Sequence, residues 1–194
     1  HDHAVVARLA GMRGPGIAVH SLGTSEAVLA LAPASRPVDR ERAGRDGVSV
    51  VRGVDGELEG VLAGSPAAGR LVAEWRRRAR AVGADPDALL AESGRGRPEL
   101  LALPFPLGRQ CPRPDPDARL ELVGDPADPA EELTALLRGM AAHGAGMRDL
   151  VAGLCGHPER VVAVGTPVRE NARLAGLMAA LAGAPLPVVA LAAP

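Results

Sequence analysis

Residues 17–31 read IAVHSLGTSEAVLAL. An apolar run at each end flanks a short stretch of glycine and hydroxyl side chains, which predicts a strand, a tight turn and a second strand. Gly23 allows the backbone to approach a ligand closely, and Thr24 adds N–H and O–H donors, so this turn is a candidate phosphate-binding site. The same residue types are common in hairpin turns, and a plain turn is therefore the alternative.

The sequence on either side of this unit alternates between strand and helix patterns. Helices are predicted at 2–10, from residue 69, at 86–92, at 131–154, from about Asn171 and at 174–181, and strands at 48–51, 58–62, 100–103, 161–164 and 188–191. Polar residues 36–46 predict a surface loop, and residues 104–116, rich in proline, predict no regular structure. This order favours an α/β or α+β layer structure with one mixed sheet.

A second candidate ligand site follows the apolar strand 161–164. Gly165 ends that strand, Thr166 and Pro167 predict a loop, and the next helix begins near Asn171. Ligands often bind beyond the carboxyl end of a strand at such a position. Neither a GxGxxG nor a GxxxxGK[ST] pattern occurs, so the sequence indicates neither a dinucleotide-binding fold nor a P-loop.

Composition excludes several classes of function. The 194 residues carry a net charge of −1 and are 47% hydrophobic, which predicts a globular chain. Balanced charge and 1% aromatic residues disfavour nucleic-acid binding. The distant cysteines Cys111 and Cys155 indicate neither a zinc site nor a disulfide framework and favour a reducing cytoplasm.

Two further features are ambiguous by sequence. The uncharged run 174–194 has the length of a membrane span, but its prolines favour a buried helix and strand, so no membrane anchor is expected. The segment His1-Asp2-His3 could be part of a metal site, a frayed terminus or a base lying in a cleft; no third ligand is identifiable, and no metal site is predicted. The histidines at positions 20, 143 and 157 are expected at the surface or at helix ends.

Five segments, in order, resemble the C-terminal half of FGGY-type carbohydrate kinases. They are HDHAVVARLA (1–10), SLGTSEAVLAL (21–31), GELEGVLAGSPAAGRLVAEW (56–75), LLALPFPLGRQCPRPDPDAR (100–119) and VVAVGTPVRENARLAGLMAALAGAPLPV (161–188). The resemblance implies an actin-like ATPase (ribonuclease H-like) domain, with a mixed sheet flanked by helices. Residues 1–15 would end the N-terminal kinase domain, and residues 16–194 would form the C-terminal domain, incomplete at its end.

The resemblance also implies an activity and the residues that perform it. Such an enzyme transfers the γ-phosphate of ATP to a hydroxyl of a sugar or polyol. Asp2 would be the general base, and Gly23 and Thr24 would contact the phosphates. Residues lining the adenosine pocket would be Gly69, Gly165 and Asn171. Mg²⁺ would bridge phosphate oxygens, with no protein cage of its own.

One departure from the family pattern supports a different function. Thr166, followed by Pro167, stands where the family's adenosine loop has a second glycine, so the domain could instead be a catalytically degenerate nucleotide-binding or partner-binding module. A structural domain without a ligand is the third alternative. The 194-residue chain is expected to be inactive alone, because the first phosphate loop and most of the sugar site would lie in an N-terminal half. The sequence is compatible with a homodimer.

Overall fold

The computed structural model describes residues 2–92, 97–182 and 186–189. Its helices are α1 (Asp2–Leu9), α2 (Arg40–Arg45), α3 (Gly69–Ala81), α4 (Pro86–Glu92), α5 (Pro129–Cys155), α6 (Thr166–Glu170) and α7 (Ala172–Ala182). Its strands are β1 (Ile17–Leu22), β2 (Glu26–Leu31), β3 (Ser49–Arg52), β4 (Glu59–Ser65), β5 (Leu101–Pro104), β6 (Leu120–Val123), β7 (Arg160–Val164) and β8 (Val188–Val189).

Six of these strands form one mixed sheet in the order β3-β4-β2-β1-β7-β8. The first four are antiparallel to one another, whereas β7 runs parallel to β1 and to β8. Short turns join β1 to β2 and β3 to β4, and a longer segment that contains α2 joins β2 to β3. The parallel pairs need long crossover connections, usually helical, to return the chain. Strands β5 and β6 pair separately as a two-stranded sheet. The predicted mixed sheet flanked by helices is confirmed.

Both faces of the large sheet are covered, so β2 is buried at all six positions. Alternate side chains point to opposite faces: Val28 packs with α5, while Leu29 packs with α1. Burial on both sides explains why β1 and β2 are almost continuously apolar rather than alternating. The sheet centre is therefore the most protected part of the described fold.

Helix α5 packs along one face of the large sheet. Asp128 accepts hydrogen bonds from the backbone N–H groups of Ala130 and Glu131, both at 2.9 Å, and Pro129 follows as the first helical residue. The fully buried Trp75 of α3 donates its indole N–H to the Pro129 carbonyl at 2.8 Å. This bond joins the amphipathic helix predicted from residue 69 to the start of α5.

Three sequence predictions about local structure are wrong. The predicted loop 36–46 contains α2, whose start is capped by Asp39 accepting from the Arg42 N–H at 2.9 Å. The predicted loop after Gly165 is the short helix α6, and β6 was not predicted at all. Of the predicted strand 188–191, β8 covers Val188–Val189, and residues 190–191 lie outside the described residues.

Residues 174–194 include most of α7, which is followed by β8 after a gap in the described chain. Within the described residues, every helix is too short or too polar to cross a membrane.

Candidate functional site

Two glycines pack against backbone at the carboxyl end of β1. A Cβ atom at Gly165 would lie 1.7 Å from the Leu22 carbonyl oxygen, and its φ of +116° lies in the region that favours glycine. A Cβ atom at Gly69 would lie 2.6 Å from the Gly23 carbonyl oxygen. Only glycine allows β7 and α3 to approach the end of β1 this closely. The structure thus brings three of the predicted site residues together.

The turn between β1 and β2 is held on the start of α3. The Gly69 N–H donates to the Gly23 carbonyl at 2.9 Å, and the Ala68 N–H donates to the Thr24 carbonyl at 3.1 Å. These carbonyls satisfy N–H groups at the start of α3, where no side chain caps the helix. Within the turn, the Gly23 N–H donates to the Ser25 carbonyl at 2.8 Å. The turn is therefore fixed by the backbone alone.

A groove runs from this turn along α3 to the start of α7, and we call it the α3 groove. It consists of two adjoining cavities of about 520 Å³ and 180 Å³ that share Gly69, Ala73, Thr166 and Pro167. The larger also contacts Gly23, Thr24 and Arg70, and the smaller also contacts Val72, Arg76, Leu90, Leu137, Glu170, Asn171 and Leu174. Both ends of the groove expose more apolar than polar surface; Thr24 and Arg70 lie at one end, and Asn171 lies at the other.

Asn171 lines the smaller cavity and caps the start of α7. Its side-chain Oδ1 accepts a hydrogen bond from the Leu174 N–H at 3.0 Å, and its backbone N–H donates to the Pro167 carbonyl at 3.1 Å. The side-chain oxygen is therefore used by the helix, and the amide Nδ2 is the group that can donate to a ligand.

Arg70 is a candidate phosphate ligand that sequence reasoning missed. It lies in the first turn of α3 and lines the same cavity as Gly23 and Thr24, half exposed and 3.1 Å from Glu74. Two of the basic residues further along α3 have acidic partners: Arg76 pairs with Asp87, and Arg78 pairs with Glu132. Position in the first helical turn was the signal that could have identified Arg70.

Asp2 lies in a different cavity, which we call the Asp2 cleft. This cleft has a volume of about 330 Å³. Its lining residues are Asp2, His3, Ser25, Glu26, Ala27, Ser49, Leu62, Gly64, Ser65, Pro66 and Gln110. Gly23 and Thr24 line the α3 groove, whereas the next two residues, Ser25 and Glu26, line the Asp2 cleft. The β1–β2 turn therefore separates the two cavities.

A buried hydrogen-bonded chain lies beneath this turn. His20 Nε2 is 2.6 Å from Glu26 Oε1, and His20 Nδ1 is 3.1 Å from Arg148 Nη1. A guanidinium can only donate, so Nδ1 accepts and Nε2 carries the proton that is donated to Glu26. All three side chains are at most 7% exposed. The chain thus links the positive charge of Arg148 to the negative charge of Glu26 through His20.

His143 approaches the same carboxylate from α5. Its Nε2 donates to the Cys111 carbonyl at 2.9 Å, and Phe105 packs against its ring edge-on. Its Nδ1 is 3.9 Å from Glu26 Oε2, beyond hydrogen-bond distance, and it is buried without a hydrogen-bond partner among the described residues. Burial raises the pKa of Glu26, but His143 and His20 together outweigh it and lower that pKa to about 2.

The prediction that His20 and His143 lie at the surface or at helix ends is wrong, because both are buried in this cluster. For His143 the signal was present: it falls on the buried stripe of α5 between Met140 and Met147. Gly144 makes room for the cluster, since a Cβ there would lie 2.6 Å from the His20 ring and 2.7 Å from Glu26 Oε1. Of the histidine pair flanking Asp2, His1 lies outside the described residues, and His3 lines the Asp2 cleft.

Comparisons with known proteins identify relatives by structure alone. No protein-family model and no curated protein sequence matches the chain. A xylulose kinase from Bifidobacterium adolescentis is similar to all of it, with a TM-score of 0.77, 21% identity and 37% of the kinase covered. A kinase of the same kind from Brucella ovis has a TM-score of 0.79 and 22% identity, and the similarity covers 99% of this chain and 38% of the kinase.

Plasmodium falciparum glycerol kinase, solved with ADP, is similar over 92% of the chain with a TM-score of 0.74 and 16% identity. The chain spans 36% of that kinase, so it matches little more than a third of the length of each of these enzymes. At such low identity the similarity establishes the fold. The chain therefore has the fold of the C-terminal domain of FGGY-type carbohydrate kinases, within the actin-like ATPase fold.

Proposed function

We propose that this chain is the nucleotide-binding side of an ATP-dependent carbohydrate kinase that phosphorylates a hydroxyl of a sugar or polyol. The observation that carries the proposal is the β1–β2 turn, which separates the α3 groove from the cleft that contains Asp2. Phosphoryl transfer needs a nucleotide and an acceptor on either side of the transferred phosphate. The kinase fold supports the same assignment. In this proposal residues 1–15 end an N-terminal domain that supplies the remaining contacts.

The groove fits a nucleoside diphosphate or triphosphate. Val72, Leu90 and Leu174 provide an apolar surface for a base, and Asn171 Nδ2 is a donor beside it. At the other end, Gly23 leaves open space, since a Cβ there would meet only the Ser25 carbonyl oxygen at 3.9 Å. Thr24 and Arg70 supply a hydroxyl and a cation for the phosphates.

ATP supplies the γ-phosphate when bound, and Mg²⁺ would be held by its phosphate oxygens. Within the described residues, no three metal-ligating side chains cluster. Asp2, exposed at the start of α1, would accept the proton of the attacking hydroxyl. Its place in a cleft next to the turn supports this role.

Calorimetric titration of the 194-residue chain with ADP·Mg²⁺ tests the nucleotide site. We expect binding in the micromolar to millimolar range, weakened about tenfold by Arg70→Gln and by Thr24→Ala, because each removes a phosphate contact. Arg77→Gln is the matched control, since Arg77 is an exposed cation on the same helix outside the groove. Equal affinities for all variants would remove the phosphate assignment.

Asp2→Asn in the complete enzyme tests the base. Loss of a general base should lower kcat by about a hundredfold or more, with little change in the KM for ATP. Asp125→Asn, at an exposed loop residue, removes the same charge elsewhere and should leave kcat unchanged. An unchanged rate for Asp2→Asn would exclude Asp2 from the mechanism.

A degenerate binding module is the second candidate, favoured by Thr166 and Pro167. Both line the groove, and the Pro167 ring reaches within 3.5 Å of where a Gly69 Cβ would lie. In this case the chain binds ADP, and the complete protein phosphorylates no sugar or polyol. Restoring Thr166→Gly should then leave the complete protein inactive, whereas it should change the KM for ATP in an active kinase.

A further inference from the structure

Arg148 of α5 is a buried arginine that donates hydrogen bonds to two other elements of the fold. Its Nη1 donates to His20 Nδ1 in β1 at 3.1 Å, and its Nη2 donates to the Met178 carbonyl in α7 at 3.4 Å. The residue is only 7% exposed. Because a guanidinium is planar and holds its N–H groups in a fixed fork, the two contacts are set together. The arginine therefore ties the position of α7 to that of β1.

The contact with His20 continues to the β1–β2 turn. His20 Nε2 donates to Glu26 Oε1 at 2.6 Å, and Glu26 is the first residue of β2. Its backbone is paired with that of Leu22, the last residue of β1, so these two residues close the turn 23–25. The base of this turn is thus held by a chain of hydrogen bonds that begins at Arg148.

The contact with Met178 continues to the other end of the α3 groove. Met178 lies one helical turn after Leu174, so the two side chains share a face of α7, and both are buried. Leu174 and the capping residue Asn171 line the smaller cavity of the groove. The larger cavity contacts Thr24 of the turn. Arg148 therefore links one wall of each cavity that makes up the groove.

Apolar packing alone would leave the position of α7 less narrowly defined. Leu174 and Met178 pack with side chains of α3 and α5 in one apolar cluster. Apolar contacts are not directional, so such a cluster tolerates small shifts of a helix. A buried guanidinium does not, because a shift would leave a charged donor without its acceptor. Hydrogen bonding by Arg148 therefore specifies the separation between α7 and the turn.

We propose that Arg148 is a positioning residue, which sets the distance between the two ends of the α3 groove so that one nucleotide fits both. A ligand that spans the groove depends on this distance, whereas a fragment that fills one end does not. This inference rests on the proposed function, because it concerns the nucleotide of the same phosphoryl transfer. It gives a role to an arginine that lines neither the groove nor the Asp2 cleft.

The test compares a ligand that spans the groove with its two halves, using the 194-residue chain with ADP·Mg²⁺, adenosine and magnesium pyrophosphate. Arg148→Lys keeps the charge that balances Glu26 but is shorter and lacks the fork. We expect calorimetry to give an affinity for ADP·Mg²⁺ at least about tenfold below that of the wild type. Ligand-observed NMR should give affinities for the two halves within about twofold of the wild type, because each end of the groove stays intact. A merely structural role would not separate ADP from its halves.

Arg138→Lys is the matched control. Arg138 lies on the same helix and donates to two backbone carbonyls outside the groove, so its variant should leave all three affinities at their wild-type values. If Arg148→Lys fails to fold, as judged by Trp75 fluorescence, Glu26→Gln combined with Arg148→Met decides. This double variant removes both charges, so no buried charge is left unbalanced, and it should show the same selective loss.

Wild-type affinity for ADP·Mg²⁺ in a folded Arg148 variant would overturn the inference. A matching loss for either half would also overturn it, since that loss indicates damage at one end of the groove rather than an altered distance. Both results leave the nucleotide site of the wild type in place. Binding of none of the three ligands by the wild type would refute the proposed nucleotide site and this inference with it.

Discussion

His20 Nε2 donates to Glu26 Oε1 over 2.6 Å in the interior, joining the end of β1 to the beginning of β2 beneath the turn that separates the two cavities. The bond is short, and both side chains are at most 2% exposed. Charge-assisted hydrogen bonds shielded from water are among the strongest in proteins. Removing either partner leaves the other buried without its hydrogen bond. We therefore expect the pair to contribute to the stability of the fold as well as to the geometry of the site.

The first prediction concerns the stability of the fold at acidic pH. Glu26 has a pKa of about 2 in the folded chain, below its ordinary value of 4.5, so ionisation stabilises the fold above about pH 4.5, and this contribution is lost as the pH falls to about 2. The shift corresponds to about 3 kcal/mol at neutral pH. Urea unfolding at a series of pH values should give a steeper decline below pH 4.5 for the wild type than for Glu26→Gln. Parallel declines would mean that Glu26 does not titrate as its contacts require.

A second prediction separates two glycines of the same region. Gly165→Ala forces a Cβ to 1.7 Å from the Leu22 carbonyl oxygen at a φ of +116°, so we expect a loss of more than about 3 kcal/mol in the free energy of unfolding. Gly176→Ala, inside α7 with no atom within 4 Å of the added Cβ, should gain up to about 1 kcal/mol. Thermal unfolding of both variants measures this. A similar Tm for the two would contradict the packing at the end of β1.

The third prediction divides the two roles of Asn171. Asn171→Ser retains a neutral oxygen to cap α7 and removes the amide donor, so stability should stay within about 0.5 kcal/mol of the wild type while ADP·Mg²⁺ binds more weakly. Asn171→Ala removes both groups and should also cost about 1 kcal/mol of stability. Calorimetry and urea unfolding on the same samples give both quantities. Wild-type affinity in the serine variant would remove Asn171 from the nucleotide site.

The fourth prediction concerns the two thiols. Burial raises the pKa of Cys111 and that of Cys155 to about 11, and each thiol lies near a backbone carbonyl. At pH 8 only about one thiol in a thousand would be ionised, and neither is accessible. Iodoacetamide followed by mass spectrometry should therefore modify the native chain far more slowly than the urea-unfolded chain. Rapid modification of native Cys111 would show that the region around Phe105 opens readily.

Sequence patterns were sufficient wherever the deciding interaction is local. The apolar period of 3.6 located α3 and α5, and the predicted strands 48–51 and 58–62 match the β3–β4 hairpin, in which Gly56 has a φ of +78°. Helix α2 was missed because it has six residues and a single buried side chain, Ala43, leaving no period to detect. Strand β6 was missed because, among the described strands, it pairs only with β5, which precedes it by a long irregular segment.

The candidate site divides in the same way. The β1–β2 turn could be identified from its glycine and hydroxyl residues, and the family resemblance added Asp2, Gly69, Gly165 and Asn171 as expectations. The buried chain could not be identified, because His20 and Arg148 are 128 residues apart and meet only after α5 crosses the sheet. No local sequence pattern indicates a contact between residues so far apart, and a lone histidine in a strand is compatible with many environments.

The direction of the hydrogen bonds through His20 bears on how the strands select their alignment. Moving the imidazole proton to Nδ1 would set an N–H against the guanidinium and an unprotonated nitrogen against the carboxylate, so only one tautomer of the neutral ring satisfies both neighbours. Shifting β1 by one residue would move His20 to the opposite face, among the apolar side chains that pack with α1. Apolar neighbours tolerate such slippage more readily than a charged partner does. We therefore expect the hydrogen-bonded chain from Arg148 to Glu26 to favour the native register of the central strands and to disfavour misaligned pairings during folding.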